Sequence, residues 1–246
     1  MKKLKFLTWT LCLLTIPFFT ACDDDDEVYE IDMATVHESE GTLSLESDYY
    51  GDISIINSDI LTHYKVNKEG QRILAYFQFN DDKSRSDRSV KVYDLYKVLT
   101  KRLYEMPAEK EDSIGNDRIS VSRIYASKNH LNIFFTFLGS NSNIAHMLNL
   151  VTTEESQIDE NGILEVEFRH NLEGDNEVYP QSGWVSFELN SIPGYTEGTT
   201  KGIKVKVNNG DGEEKTYKIE WQSAGEDKSS KLSFSSFSNT KTKWFR

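Results

Sequence analysis

Two absences bound this chain more tightly than its composition does. Of its two cysteines, Cys12 lies inside an apolar leader and Cys22 ends it. Everything beyond Cys22 therefore lacks a thiol for a disulfide or a thiolate metal site. A fold of about 200 residues without covalent staples has to rely on its core, and that length suffices for one to two domains. Basic character is also scarce. The formal charge is −12, with 28 Lys and Arg against 40 Asp and Glu, and Lys2, Lys3 and Lys5 belong to the leader. Affinity for a polyphosphate backbone comes largely from basic patches, so nucleic acid is excluded as a partner. The same charge repels anionic headgroups.

Long apolar runs are missing too. The stretch from Phe6 to Phe19 is about fourteen residues, short of the roughly 20 that cross a bilayer as a helix. Three lysines, this short apolar core and the small residues before Cys22 have the layout of a secretory signal with a lipid-accepting cysteine. Residues 1–21 read as a lipoprotein signal peptide and 22–32 as an acylated Cys22 with an acidic linker. Two or three acyl chains at about 0.8 kcal/mol per buried methylene hold a protein on a membrane almost indefinitely. Asp23, Asp24, Asp25 and Asp26 resemble the surface-export signal of lipoproteins in the Bacteroidota. Five like charges from Asp23 to Glu27 also make a solvated, extended spacer. The expected location is the outer membrane facing the cell exterior, with a periplasm-facing attachment as the alternative.

What the chain does have is alternation. In Ile73-Leu74-Ala75-Tyr76-Phe77-Gln78-Phe79, six of seven residues are apolar or aromatic, as in a strand covered on both sides. Leu131 to Leu138 is a second such strand. One-sided alternation recurs at Ile119–Val121, Leu164–Phe168 and Val185–Leu189. Ile203–Val207 and Tyr217–Trp221 flank Asn208-Asn209-Gly210-Asp211-Gly212, whose Asn and Gly residues suit a hairpin turn. That turn lacks the ligand spacing of an EF-hand loop. Val92 to Arg102 is the one stretch with a helical stripe, and its β-branched and aromatic residues favour a strand.

The leader, followed by Gly41-Thr42-Leu43, Asp48-Tyr49-Tyr50-Gly51, Asn57-Ser58 and Gly70-Gln71-Arg72-Ile73-Leu74, resembles the N-terminal OB-like domain of NigD-like lipoproteins. Leu131-Asn132-Ile133, Val185–Leu189 and the closing hairpin are similar to that family's C-terminal β-sandwich. The resemblance spans most of residues 28 to 222 and implies an all-β chain, a small OB-like barrel over 33–105 followed by an antiparallel β-sandwich over 106–222. Residues 223–246 fall outside it, a basic tail rich in Ser and Lys that forms either an edge strand or a disordered end. The family name comes from a proposed role in bacteriocin immunity, a weak analogy for any one member.

No catalytic constellation is legible. His37, His63, His130, His146 and His170 lack the i, i+2 or i, i+4 spacing of a local metal site, and they read as satisfied surface or strand histidines. The chain has no Gly-x-Ser-x-Gly elbow, phosphate-cradling loop or His-Glu-x-x-His. Neither a metal nor a cofactor is expected, and the reading is a non-catalytic binding module, monomeric, with an unknown protein, peptide or glycan partner. Tyr49, Tyr50 and Tyr76 lie where OB folds commonly bind ligands. They either stack on sugar rings or plug the barrel end. The polar, acidic segment 171–180 is either a solvated loop or a site for a cationic peptide. A glycan-binding accessory lipoprotein and a structural envelope component are the alternative functions.

Overall fold

The computed structural model describes residues 29–80, 88–141, 143–210 and 214–221. Cys22, Asp23 to Asp26 and the basic tail lie outside the described residues. The first five strands are β1 (Glu30–Ser39), β2 (Thr42–Ser47), β3 (Gly51–Ile55), β4 (Arg72–Phe79) and β5 (Ser89–Lys97), with the short helix α1 (Asp59–His63) between β3 and β4. They close into a barrel in the order β1-β2-β3-β5-β4, with β3 and β5 parallel. Closure leaves no free sheet edge. Ile73, Ala75, Phe77 and Phe79 of β4 fill the barrel with Val36, Leu45, Ile53 and Leu95, and Leu61 of α1 caps them.

The opposite face of β4 explains its double hydrophobicity. Leu74 packs with Met33, Val98 and Trp184, and Tyr76 and Tyr96 lie against that cluster. The strand separates the barrel core from a second core shared with the sandwich.

The remaining strands are β6 (Leu99–Lys101), β7 (Tyr104–Glu105), β8 (Ser120–Ala126), β9 (His130–Gly139), β10 (Met147–Thr152), β11 (Ile163–Asn171), β12 (Tyr179–Glu188), β13 (Gly202–Asn208) and β14 (Glu214–Glu220). One sheet runs β14-β13-β11-β10-β7 and the facing sheet β6-β12-β9-β8. Leu131, Ile133, Phe135 and Phe137 of β9 meet Val166, Phe168, Ile203 and Val205 across the gap. Burying a side chain of this size is worth about 1.5–3 kcal/mol.

Two details differ from the sequence reading. Residues 99–105, assigned above to the barrel, hydrogen-bond into both sandwich sheets, so the barrel ends at Lys97. The sandwich is also mixed rather than wholly antiparallel. β6 runs parallel to β12, β7 to β10, and β11 to β13. Alternation reports which face of a strand is buried and carries no information on strand direction. The β13–β14 hairpin has Ile203 opposite Ile219, as its turn residues predict.

Candidate functional site

The junction between barrel and sandwich is built around one buried cation. Arg72 opens β4 on the face turned away from the barrel core, and its side chain is wholly buried. Its guanidinium grips Asp48 with both arms, Nη1 to Oδ1 at 2.9 Å and Nη2 to Oδ2 at 2.7 Å. It also donates to Thr35 Oγ1 at 3.1 Å and to Asn132 Oδ1 at 2.9 Å. Asn132 comes from the sandwich and donates in turn to Asp48 Oδ2 at 3.2 Å, while Ser186 donates to its Oδ1 at 2.7 Å. Tyr125 closes the circle with its hydroxyl 3.2 Å from Asp48 Oδ2. Burial alone would lower the guanidinium pKa, but Asp48 outweighs it and holds the charge. Burial first, then Asp48, pushes the Tyr125 hydroxyl far up and keeps it a donor.

Beside this network a cleft of about 470 Å³ opens between the β2–β3 turn and the β8–β9 turn. Tyr49, Asp52 and Arg88 line the barrel side, Lys128 and His130 the sandwich side. Gly51, at φ +71°, starts β3 there in a conformation that other residues adopt at a cost. Arg88 Nη1 donates to the Tyr50 carbonyl at 3.0 Å. Lys128 Nζ reaches across the domain boundary to Glu46 Oε1 at 2.5 Å. His130 is pushed down to about 4 by burial and then by the Arg72 cation, which makes it a neutral ring at pH 7. Asp32, below the turn, takes hydrogen bonds from Ser47 Oγ and the Tyr49 amide. Burial, reinforced by Asp48, still raises it to about 6. Fixed charges and donors of this kind suit recognition of a polar group.

The three tyrosines singled out above do not share a surface. Tyr49 is exposed at the cleft. The Tyr50 ring packs edge-on against Phe79 at 5.0 Å and Phe77 at 5.9 Å, a plug in the barrel mouth. Tyr76 belongs to the interdomain cluster, its ring 5.7 Å from that of Tyr96.

Sequence spacing missed a second cluster. His146 and His170 are stacked with ring centroids 5.1 Å apart, both fully buried. Asp175, which the sequence places in a polar loop, is buried beside them, its Oδ2 3.2 Å from His146 Nε2. It also accepts from Ser140 Oγ at 2.6 Å and from the amides of Ser140, Asn141 and Asn176. Burial opposes its ionisation, but these donors hold its carboxyl well below the usual range. Gly139 leaves the room, since a Cβ there would stand 3.2 Å from Asp175 Oδ2. Pairing of β10 with β11 is what joins the histidines, and local spacing carries no trace of it.

Comparison with known proteins gives the same architecture. No curated protein sequence matches the chain. A protein of unknown function from Bacteroides vulgatus ATCC 8482 superposes with a TM-score of 0.67 at 28% identity, covering 81% of this chain and 94% of that one. A protein with a provisional toxin-related name from Parabacteroides distasonis ATCC 8503 gives 0.63 at 26%, covering 80% and 95%. A NigD-like immunity protein from Bacteroides caccae ATCC 43185 shares the fold, with a TM-score of 0.55 at 16% identity over 76% of this chain and 91% of its own. Residues 102–221 match the model of the NigD-like C-terminal beta sandwich domain. These residues are therefore a NigD-like C-terminal beta sandwich domain, joined here to an N-terminal barrel.

Proposed function

We propose that the mature protein is a non-catalytic binding module, held on the outer membrane through acylated Cys22 and displayed outward by Asp23 to Asp26, with the interdomain cleft as its recognition site. The observation that carries this reading is the Arg72–Asp48–Asn132 network. It fixes the two domains against each other, so the cleft walls are in place before any partner arrives, and preorganisation lowers the cost of binding. Immunity, the role in the name of the Bacteroides caccae protein, gives the reading its specific form: interception of a bacteriocin at the cell surface. The provisional name of a Bacteroides fragilis NCTC 9343 protein of the same fold, a lipoprotein, agrees with the anchor.

Protease shaving of intact cells tests display. Wild type should be cleaved, and a variant with Asp23 to Asp26 changed to Ala should be shielded at equal abundance. Protection of both until lysis would place the protein facing the periplasm. A deletion strain challenged with bacteriocins from neighbouring strains tests the cleft. Wild type should restore resistance and the double variant Arg88→Ser, Lys128→Ser should not, at equal surface abundance. Full rescue by that variant would remove the cleft from the mechanism.

A further inference from the structure

The outer face of the barrel strands β1, β4 and β5 is only half covered by the sandwich. Beyond the interdomain cluster it continues into solvent as a tyrosine-rich surface. Tyr29 and Tyr93 meet edge to face at 4.9 Å, and both are exposed, as are Tyr64 and Ile56. A β-bulge makes this possible. Phe77 pairs with Val92 and Tyr76 with Asp94, so Tyr93 is the extra residue, and both Tyr93 and Asp94 turn outward. The hydroxyls are tied down at the polar level. Tyr93 donates to Gln78 Oε1 at 2.8 Å and Tyr64 to Asp94 Oδ1 at 2.8 Å. Lys91 lies over the Tyr93 ring with Nζ 4.8 Å from its centroid.

We propose that this face docks on the headgroup layer of the membrane that carries the anchor. The proposal rests on the reading of Cys22 as the lipidated residue. Three observations select a bilayer as the occupant. The face begins at Tyr29, seven positions after Cys22, and that much chain reaches at most about 24 Å. A short tether keeps the face at high effective concentration near the surface, so a weak contact is enough. Rings with an apolar body and a hydroxyl tip collect at membrane–water interfaces, and Lys91 can rest its stem there with its charge in water. The chain's formal charge of −12 selects zwitterionic over anionic headgroups.

Because Cys22 is the only cysteine of the mature chain, it can be coupled directly to maleimide-bearing lipid in phosphatidylcholine–phosphatidylethanolamine vesicles. The same chain capped with N-ethylmaleimide serves as the free state. Hydroxyl-radical footprinting should show Tyr29, Tyr64 and Tyr93 about threefold less reactive when tethered, the signature of a mostly docked population. Tyr104 and Tyr179, on the sandwich, should not change. In the variant Tyr29→Ser, Tyr93→Ser, Tyr64 should regain its free reactivity. Equal reactivity of the face in both states overturns the proposal, as does equal protection of Tyr179. Protection that grows with protein density on the vesicle also overturns it and assigns the face to a second copy of the chain. Chemical coupling makes these outcomes independent of natural acylation, which the mass of the N-terminal peptide from cells reports separately.

Discussion

Nδ1 of His146 stands 2.9 Å from Nε2 of His170, between two groups that only accept hydrogen bonds. The far nitrogen of His170 lies 3.1 Å from the Arg118 carbonyl, and the far nitrogen of His146 faces ionised Asp175. Three hydrogen bonds in series need three protons, one more than two neutral imidazoles carry. Two neutral rings thus fill two of the three contacts, and a third proton on the pair would fill the last, with Asp175 as its counter-ion. Burial, then His146, pushes His170 down to about 4.

Asp175→Asn should cost about 2 kcal/mol, because it removes the buried charged acceptor shared by Ser140, Asn141, Asn176 and the His146 ring. Urea denaturation at pH 7 measures this. A loss below about 1 kcal/mol would show that these donors find other partners without the carboxylate.

Arg72→Met should be similarly costly, about 3–5 kcal/mol, since it strands the Asp48 carboxylate among Tyr125 and Asn132. Combining it with Asp48→Leu should cost less than the sum of the single changes by about 1.5 kcal/mol or more. Strict additivity would mean that the two side chains stabilise the fold separately.

Acid should weaken the fold with a defined slope. His130 and His170 sit at about 4 in the fold, against an ordinary 6.5. The unfolded chain binds those two protons first, so the stability they confer is full above 6.5 and is lost as pH falls toward 4. Asp32 acts in the opposite sense. Raised from 3.8 to about 6, it takes up its proton first in the fold and returns stability over the same range. Two protons against one leave a net loss of about 1.4 kcal/mol per pH unit near pH 5. Asp32→Asn should steepen this to about 2.7. Denaturation series between pH 6 and 4.5 decide it, and an unchanged slope would count against a buried neutral Asp32.

Tyr49 and Tyr50 should separate sharply. Tyr50→Ala removes the plug over Phe77 and Phe79 and should cost about 2 kcal/mol. Tyr49→Ala, at the exposed cleft edge, should stay within about 0.5 kcal/mol. Equal effects on denaturation midpoints would refute the plug.

The strands were legible because burial imposes a period of two, and the doubly apolar run at 73–79 correctly announced two covered faces. The same run held a signal about Tyr76 that family analogy obscured. A ligand-binding outer face would have been more polar, and here the sandwich covers it. Arg72 stood out only as part of a motif, because its partners come from 24 and 60 positions away and from both domains. Segment 171–180 read as solvated because it is polar. Its one buried carboxylate is invisible without the paired strands that bring His146 and His170 to it.

Only Val98 separates β5, the last barrel strand, from β6, the first sandwich strand, and it is itself buried in the interdomain cluster. A joint one residue long has no room to swing. If the cleft is the recognition site proposed above, its walls neither open nor close around a partner, so capture needs correct orientation and no waiting step. Association should follow one exponential whose rate stays linear in partner concentration, without the plateau that a closing movement would impose. Differences in affinity among partners would then appear in how long each stays.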